Sequence, residues 1–195
     1  AALSGVFYGA FQSSDSCGYV FSLESSPANA SGESCDEAVL YNFKGYGDAC
    51  SPGTAPVPGP LGALYGLALS GGASGGGAMY ALQPPTEPGG QWSGSVAYSL
   101  SGPVGNLVHG PDGSFYALDV GGGAYGGGDL LQLAPPAVAG GAWAATNLYD
   151  FPNDPGALVQ DSLIAGPNGL LYGTSHFGGN ARGGYGTVFQ VDPTP

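Results

Sequence analysis

The chain has 195 residues and a formal charge of -12, with only Lys44 and Arg182 set against 14 acidic side chains. A surface of that sign has nothing with which to neutralise phosphates, which argues against nucleic acid and anionic membranes as partners. Its hydrophobic content of 43% suffices for a core, no run reaches the ~18 apolar residues of a membrane helix, and the 39 glycines and 17 prolines accompany 12 tyrosines and 8 phenylalanines, so they read as turns between strands.

Taken from the N-terminus, VFYGAF leads through QSSDSCG, which carries Cys17, into YVFSL. A loop-like run, SSPANASGES, follows and contains the glycosylation sequon at Asn29. EAVLYNF (37 to 43) is an aromatic strand that ends before Tyr46 and Cys50. The next stretch, PVPGPLGALY, opens onto LALSGGASGGG and AMYAL, then Trp92 and the strand SVAYSL. NLVHGPDGSFY, LDVGGGAYGGG and DLLQL come next, followed by Trp143 and TNLYDF; SLIAGPNGLLY, a loop carrying His176 and Tyr185, and TVFQV complete the series.

These segments are copies of one pattern. Tyr8, Tyr65, Tyr116 and Tyr172 recur at intervals of a little over fifty residues, each ahead of a glycine-rich or polar loop and a second strand. Asp112-Gly113 and Asn168-Gly169 signal hairpins through their tolerance of positive φ. Alternating or short apolar runs rich in aromatic and β-branched residues, with no sustained helical period, predict an all-β fold. Four antiparallel strands per unit point to a β-propeller-like series of blades, approximately 1–55, 56–105, 106–161 and 162–195, closing as four blades or standing as a partial ring. A parallel β-helix is the alternative. In the strand register this implies, the first unit lacks its opening strand and the last lacks its closing one, which leaves strand edges open for self-association.

Leu171-Tyr172-Gly173-Thr174, a glycine-rich loop, and Gly186-Thr187-Val188-Phe189, together with GPNGL and NLYDF, resemble the tandem GloVer repeat of secreted or surface-anchored bacterial proteins of the choice-of-anchor kind. The resemblance spans almost the whole chain and is weakest around Cys17. It implies a repeat architecture and an extracellular or cell-surface location, and supplies no catalytic residues.

The register also weighs the three cysteines. With strands at 19 to 23 and 37 to 43 antiparallel, Cys17 lies near Cys50 while Cys35 falls at the far end of the hairpin, so the expected bridge is Cys17–Cys50 with Cys35 free.

Chemistry is sparse. The glycine loops run from strand to strand without a lysine, unlike a phosphate cradle, and GGGAYGGGD lacks the aspartate spacing of a calcium repeat, so neither cofactor nor metal is expected. His109 and His176 have no metal-ligand spacing around them. Glu33, Asp36, Glu37, Asp15 and Asp48 read as solvated loop carboxylates, and Asp112, Asp150 and Asp154 as turn or strand-end residues. Trp92 and Trp143, at matching places, either plug the space between blades or stack on ligands, while Tyr46, Tyr125 and Tyr185 are loop aromatics suited to contact.

The leading expectation is a noncatalytic extracellular structural repeat protein that self-associates through exposed strand edges. The alternatives are a carbohydrate- or protein-binding module, with a glycan or surface protein as partner, and a hydrolase or lyase whose site is assembled from several blades.

Overall fold

The computed structural model describes residues 2–3, 5–25, 35–45, 47–138, 141–152, 162–175 and 185–193. Asn29, Glu33, Tyr46, Asp154, His176 and Arg182 lie outside that set. The described strands form four sheets, and every pairing between named strands is antiparallel, the opposite of a parallel β-helix. Sheet I contains β1 (Ala2–Leu3), β2 (Val6–Phe11), β3 (Tyr19–Ser25) and β4 (Cys35–Asn42) in that order. Sheet II runs β5 (Ala49–Pro52), β7 (Leu64–Gly71), β8 (Ala78–Gln83), β9 (Ser93–Ser99), with β6 (Val57–Pro58) also paired to β7. Sheet III is β10 (Pro103–His109), β11 (Phe115–Asp119), β12 (Asp129–Ala134) and β13 (Ala144–Asp150); sheet IV is β14 (Leu163–Ala165), β15 (Leu171–Ser175) and β16 (Thr187–Val191).

Two strands depart from the expected register. Sheet I does have an opening strand, β1, whose two residues are too short for any period to reveal. The inner edge of sheet II is held by β5 as well as by β6, so residues 49–52, which the repeat spacing assigns to the first unit, pair in the second sheet.

The local structure follows from a few side chains. Gly110-Pro111-Asp112-Gly113 and Gly166-Pro167-Asn168-Gly169 form the same turn, closed by Gly113 N–H to Gly110 O and Gly169 N–H to Gly166 O, each 3.1 Å. Proline presets the second turn position, and only the final glycine takes positive φ, 81° and 80°. Gly110 N–H also bonds Ser114 O and Gly166 N–H bonds Leu170 O, so each hairpin loop is three residues, the proline and the Asp-Gly or Asn-Gly pair that signals it.

Opposite pairs tie β2 to β3 and its equivalents: Gly9 faces Phe21, Gly66 faces Tyr80 and Gly173 faces Phe189. A Cβ at any of these glycines would fall inside the facing ring, so the aromatic lies flat across bare backbone. Sheet III solves the same volume with Ala117 against Leu131. In the first three sheets the outermost strand carries one extra residue, at Leu40, Ala97 and Leu148, between paired neighbours. Such bulges sharpen strand twist, which face-to-face stacking of blades requires.

The core is three layers between successive sheets. Tyr8, Ala10 and Val20 of sheet I meet Leu64, Ala68, Tyr80 and Leu82 of sheet II. Tyr65, Leu67 and Met79 meet Phe115, Ala117, Leu131 and Leu133 of sheet III. Tyr116, Leu118 and Leu130 meet Leu163, Leu171 and Phe189 of sheet IV. Cys17, just before β3, is bonded to Cys50 in β5, with Cα atoms 4.4 Å apart. Because β5 belongs to sheet II, the bridge crosses from one sheet to the next. Cys35 is exposed and unbonded.

Candidate functional site

Register places Asp119, Asp129 and Asp150 side by side on β11, β12 and β13: Asp119 pairs with Asp129, and Asp129 with Asp150. They end the face of sheet III that is turned toward sheet II, beneath the loop 120–128. Like charges at directly opposed positions repel, and amide donors offset that repulsion. Ser101 N–H donates to Asp119 Oδ2 at 2.8 Å and Gly121 N–H to its Oδ1 at 3.2 Å. Gly123 N–H reaches Asp129 Oδ2 at 3.1 Å, and Asp150 Oδ1 accepts from Ala124 N–H at 2.9 Å and Asn147 Nδ2 at 2.7 Å. The glycines are required here, since a Cβ at Gly122 would collide with the Asp129 carboxylate and Gly123 has φ 80°.

Asp119 and Asp129 are buried, and Asp129 Oδ1 has no hydrogen-bond partner. Burial, then the neighbouring Asp119 charge and, more weakly, Asp150 push the Asp129 carboxyl up to about 6, against the opposing hydrogen bond from Gly123. Its chemistry is that of a carboxyl holding a proton near the acidic end of the physiological range. Among the described residues no group of three His, Cys, Asp or Glu side chains is arranged to hold a metal ion.

Sheet II supplies a comparison. Ala68, Ala78 and Ser99 occupy the positions of the three aspartates, and Ser99 Oγ accepts from Ala73 N–H at 2.9 Å just as Asp150 accepts from Ala124. Docking the glycine loop onto the outer strand is thus a repeated structural device, which sheet III performs with carboxylates. Asp119 and Asp129 were not singled out in the sequence, although their placement on either side of GGGAYGGG was the available signal.

The candidate contact residues divide sharply. Trp143 packs against Tyr65 and Phe115, with ring centroids 5.5 and 5.8 Å away, and Trp92 packs against the layer between sheets I and II. Tyr125 is 65% exposed and Tyr185 84% exposed, each in a loop joining the second and third strands of its sheet. His109 lies flat on Phe115 at 4.5 Å and 13°.

Asp48, read as a solvated loop carboxylate, is instead buried. It accepts from Tyr41 Oη at 2.9 Å, Lys44 N–H at 3.1 Å and Ala49 N–H at 2.8 Å, fixing the crossing from β4 to β5. Burial followed by the bond to Asp48 raises Tyr41 to about 12. Asp112 plays the equivalent part in its turn, accepting from Tyr116 Oη at 3.0 Å and Gln132 Nε2 at 3.0 Å. An open cleft bordered by Gly45, Gly47, Cys50, Ser70 and the glycine turn at 71–75 offers backbone and small side chains, and its half-cystine Cys50 does not titrate.

Comparison with known proteins gives one family: the model described as the Gloeobacter/Verrucomicrobia repeat matches residues 1–195. No curated protein matches. Among solved structures, the chain is similar to a protein provisionally described as a gluconolactonase, at 16% identity and a TM-score of 0.47, covering 82% of this chain and 55% of that one. It is also similar to the PQQ-bound aldose sugar dehydrogenase of Streptomyces coelicolor, at 16% identity and a TM-score of 0.45, covering 95% of this chain and 75% of that one. The chain therefore spans little more than half the length of the first.

Proposed function

The chain belongs to the Gloeobacter/Verrucomicrobia repeat family, and from that premise we propose that it is a noncatalytic extracellular structural module whose copies associate into surface assemblies. One observation carries the reading: among the described residues the stack of sheets is open. Sheet IV has three strands where the others have at least four, so among the described residues the outer edge of β16 has no partner strand, and the end sheets leave Phe7, Phe11, Val39, Ile164 and Val188 exposed. Open edges and apolar faces favour association with a further chain. The bridge between Cys17 and Cys50 supports an oxidising, extracellular setting. No helix is long and apolar enough to cross a membrane among the described residues.

The test is the mass and shape of the purified chain across concentration, by mass photometry and electron microscopy. Regular oligomers or filaments are expected, and deletion of β16 abolishes them without any ligand being needed. A monodisperse monomer at every concentration refutes the reading.

Tyr125 and Tyr185 favour a second reading, a glycan- or protein-binding module. Both are exposed and stand in glycine-rich stretches of the sequence, which leaves an aromatic face open to stacking. Retention on a sugar array that is lost in the Tyr125→Ala, Tyr185→Ala double variant would support it; equal retention by the double variant would remove it.

A further inference from the structure

Every sheet has two kinds of face. One begins at the recurrent tyrosine, Tyr8, Tyr65, Tyr116 or Tyr172, and the other at the residue before it, Phe7, Leu64, Phe115 or Leu171. In all three internal layers the tyrosine face of one sheet packs on the opposite kind of face of the next sheet along the chain. The direction never reverses. The two faces left over are consequently unlike: sheet I ends the stack with the face of Phe7, and sheet IV ends it with the face of Tyr172.

Matched positions show what is missing at those ends. Leu64, Phe115 and Leu171, the counterparts of Phe7, are 0%, 0% and 1% exposed, while Phe7 is 59% exposed. Val20, Met79 and Leu130, the counterparts of Val188, are each 0% exposed, while Val188 is 79% exposed. The same repeat position is interior three times and open once, at opposite ends of the stack.

We propose that these two faces are partners in trans: the Tyr172 face of sheet IV in one molecule docks on the Phe7 face of sheet I in a second copy of this chain, repeating the internal layer between molecules. This rests on the self-association reading and specifies its contact as face to face and head to tail rather than edge to edge. The surfaces suit it. Phe7, Phe11, Tyr19, Phe21, Leu23 and Val39 share the sheet I face by register. Ile164, Tyr172 and Val188 share the sheet IV face with Thr174 and Gln190. Gln190 stands where Gln132 stands in sheet III, on a face that is packed against its neighbour. The described strands of the sheet IV face carry no charge, and on the sheet I face Glu37 sits on the outermost strand β4, at the rim. With a net charge of -12 per chain, two copies repel at long range, so added salt strengthens the contact. A contact between unlike faces is heterologous and propagates into a ring or a filament.

Two charge substitutions at already exposed positions provide the test, Phe7→Glu and Val188→Glu, in the full chain, with circular dichroism and unfolding midpoints to establish that each folds like the parent. Each variant alone stays monomeric by sedimentation velocity at concentrations where the parent assembles, since every junction then contains one charged face. Mixing the two restores a single intact junction, so a 1:1 dimer forms and grows no further, with an affinity at least about tenfold above that of either variant for itself. A parent that never assembles overturns both this inference and the reading beneath it. A parent that assembles alongside variants that assemble equally well overturns the face contact alone. Variants that stay monomeric even when mixed overturn the head-to-tail arrangement. If a glutamate variant misfolds, Phe7→Ser and Val188→Ser apply the same criteria more mildly.

Discussion

Removing the charge of Asp129 reports directly on the carboxylate row. In the folded chain its carboxyl is raised from 3.8 to about 6, by burial first and by Asp119 second. An acid whose folded pKa exceeds its unfolded one binds more protons in the native state between those two values, so its contribution to stability falls as pH rises from about 4 to about 6 and stays low above. Each unit of displacement corresponds to about 1.4 kcal/mol. The full displacement sets a ceiling of about 3 kcal/mol, which water and salt at the loop reduce to about 1–2 kcal/mol. Asp129→Asn keeps the shape and the acceptor for Gly123 N–H while removing the titration. Urea denaturation of both proteins at half-unit steps from pH 4 to 7 is the assay, the difference between them cancelling the carboxylates outside the Asp119, Asp129 and Asp150 row. The variant is expected to be more stable by about 1–2 kcal/mol at pH 7, with the advantage shrinking toward pH 4. A difference independent of pH, or a variant weaker at pH 7 than at pH 4, would refute the argument that Asp129 is a strained carboxylate.

Gly66→Ala drives a methyl into the Tyr80 ring and is expected to cost about 1–3 kcal/mol, whereas Gly66→Ala with Tyr80→Leu reproduces the Ala117/Leu131 pair of sheet III and recovers most of the loss in a double-mutant thermal-denaturation cycle. Purely additive losses would contradict the volume exchange. Replacing both Cys17 and Cys50 by serine opens a link across a sequence separation of 33 residues, which chain entropy values at about 4 kcal/mol. Chemical denaturation should show a loss approaching that figure, and an unchanged midpoint would mean that the bridge between sheets I and II constrains nothing.

The repeat was legible because its side chains solve local steric problems: a glycine is needed where an aromatic crosses the neighbouring strand, and a Pro-Asp-Gly or Pro-Asn-Gly turn where the chain reverses. The sheet edges were less legible. β1 is two residues long, and β5 reads Ala-Cys-Ser-Pro, with neither alternation nor bulk to announce a strand. Asp119 and Asp129 meet only after β11 and β12 are set in register, so the sequence pattern marks the loop between them and not the pairing of the acids that flank it. The burial of Asp48 is hidden in the sequence for a related reason. Its carboxylate is buried because the crossing from β4 to β5 folds back over it, and that crossing is invisible until β5 is assigned to sheet II. The tryptophans, by contrast, can be read both ways. Their recurrence at matching places favours packing, and Trp143 does pack against both Tyr65 and Phe115.

One row of the repeat bears on why the open end is apolar at all. The positions held by Asp119, Asp129 and Asp150 in sheet III are held by Ala68, Ala78 and Ser99 in sheet II and by Phe11, Tyr19 and Asn42 in sheet I. Phe11 and Tyr19 stack at 5.0 Å with an interplanar angle of 24°. Thus carboxylates stand in this row where another sheet already lies against the face, and the largest aromatics stand in it where no sheet does. A face shaped only for water would reverse that order, because exposed contiguous apolar surface favours unselective association in a soluble chain. The acidic charge elsewhere on the molecule opposes such association through space, so only a partner that buries Phe7, Phe11 and Tyr19 together overcomes it. A face with the geometry of the Tyr172 side of sheet IV suits that role, since its counterparts inside the chain bury Leu64, Phe115 and Leu171 at the Phe7 position and Ala68, Asp119 and Ser175 at the Phe11 position.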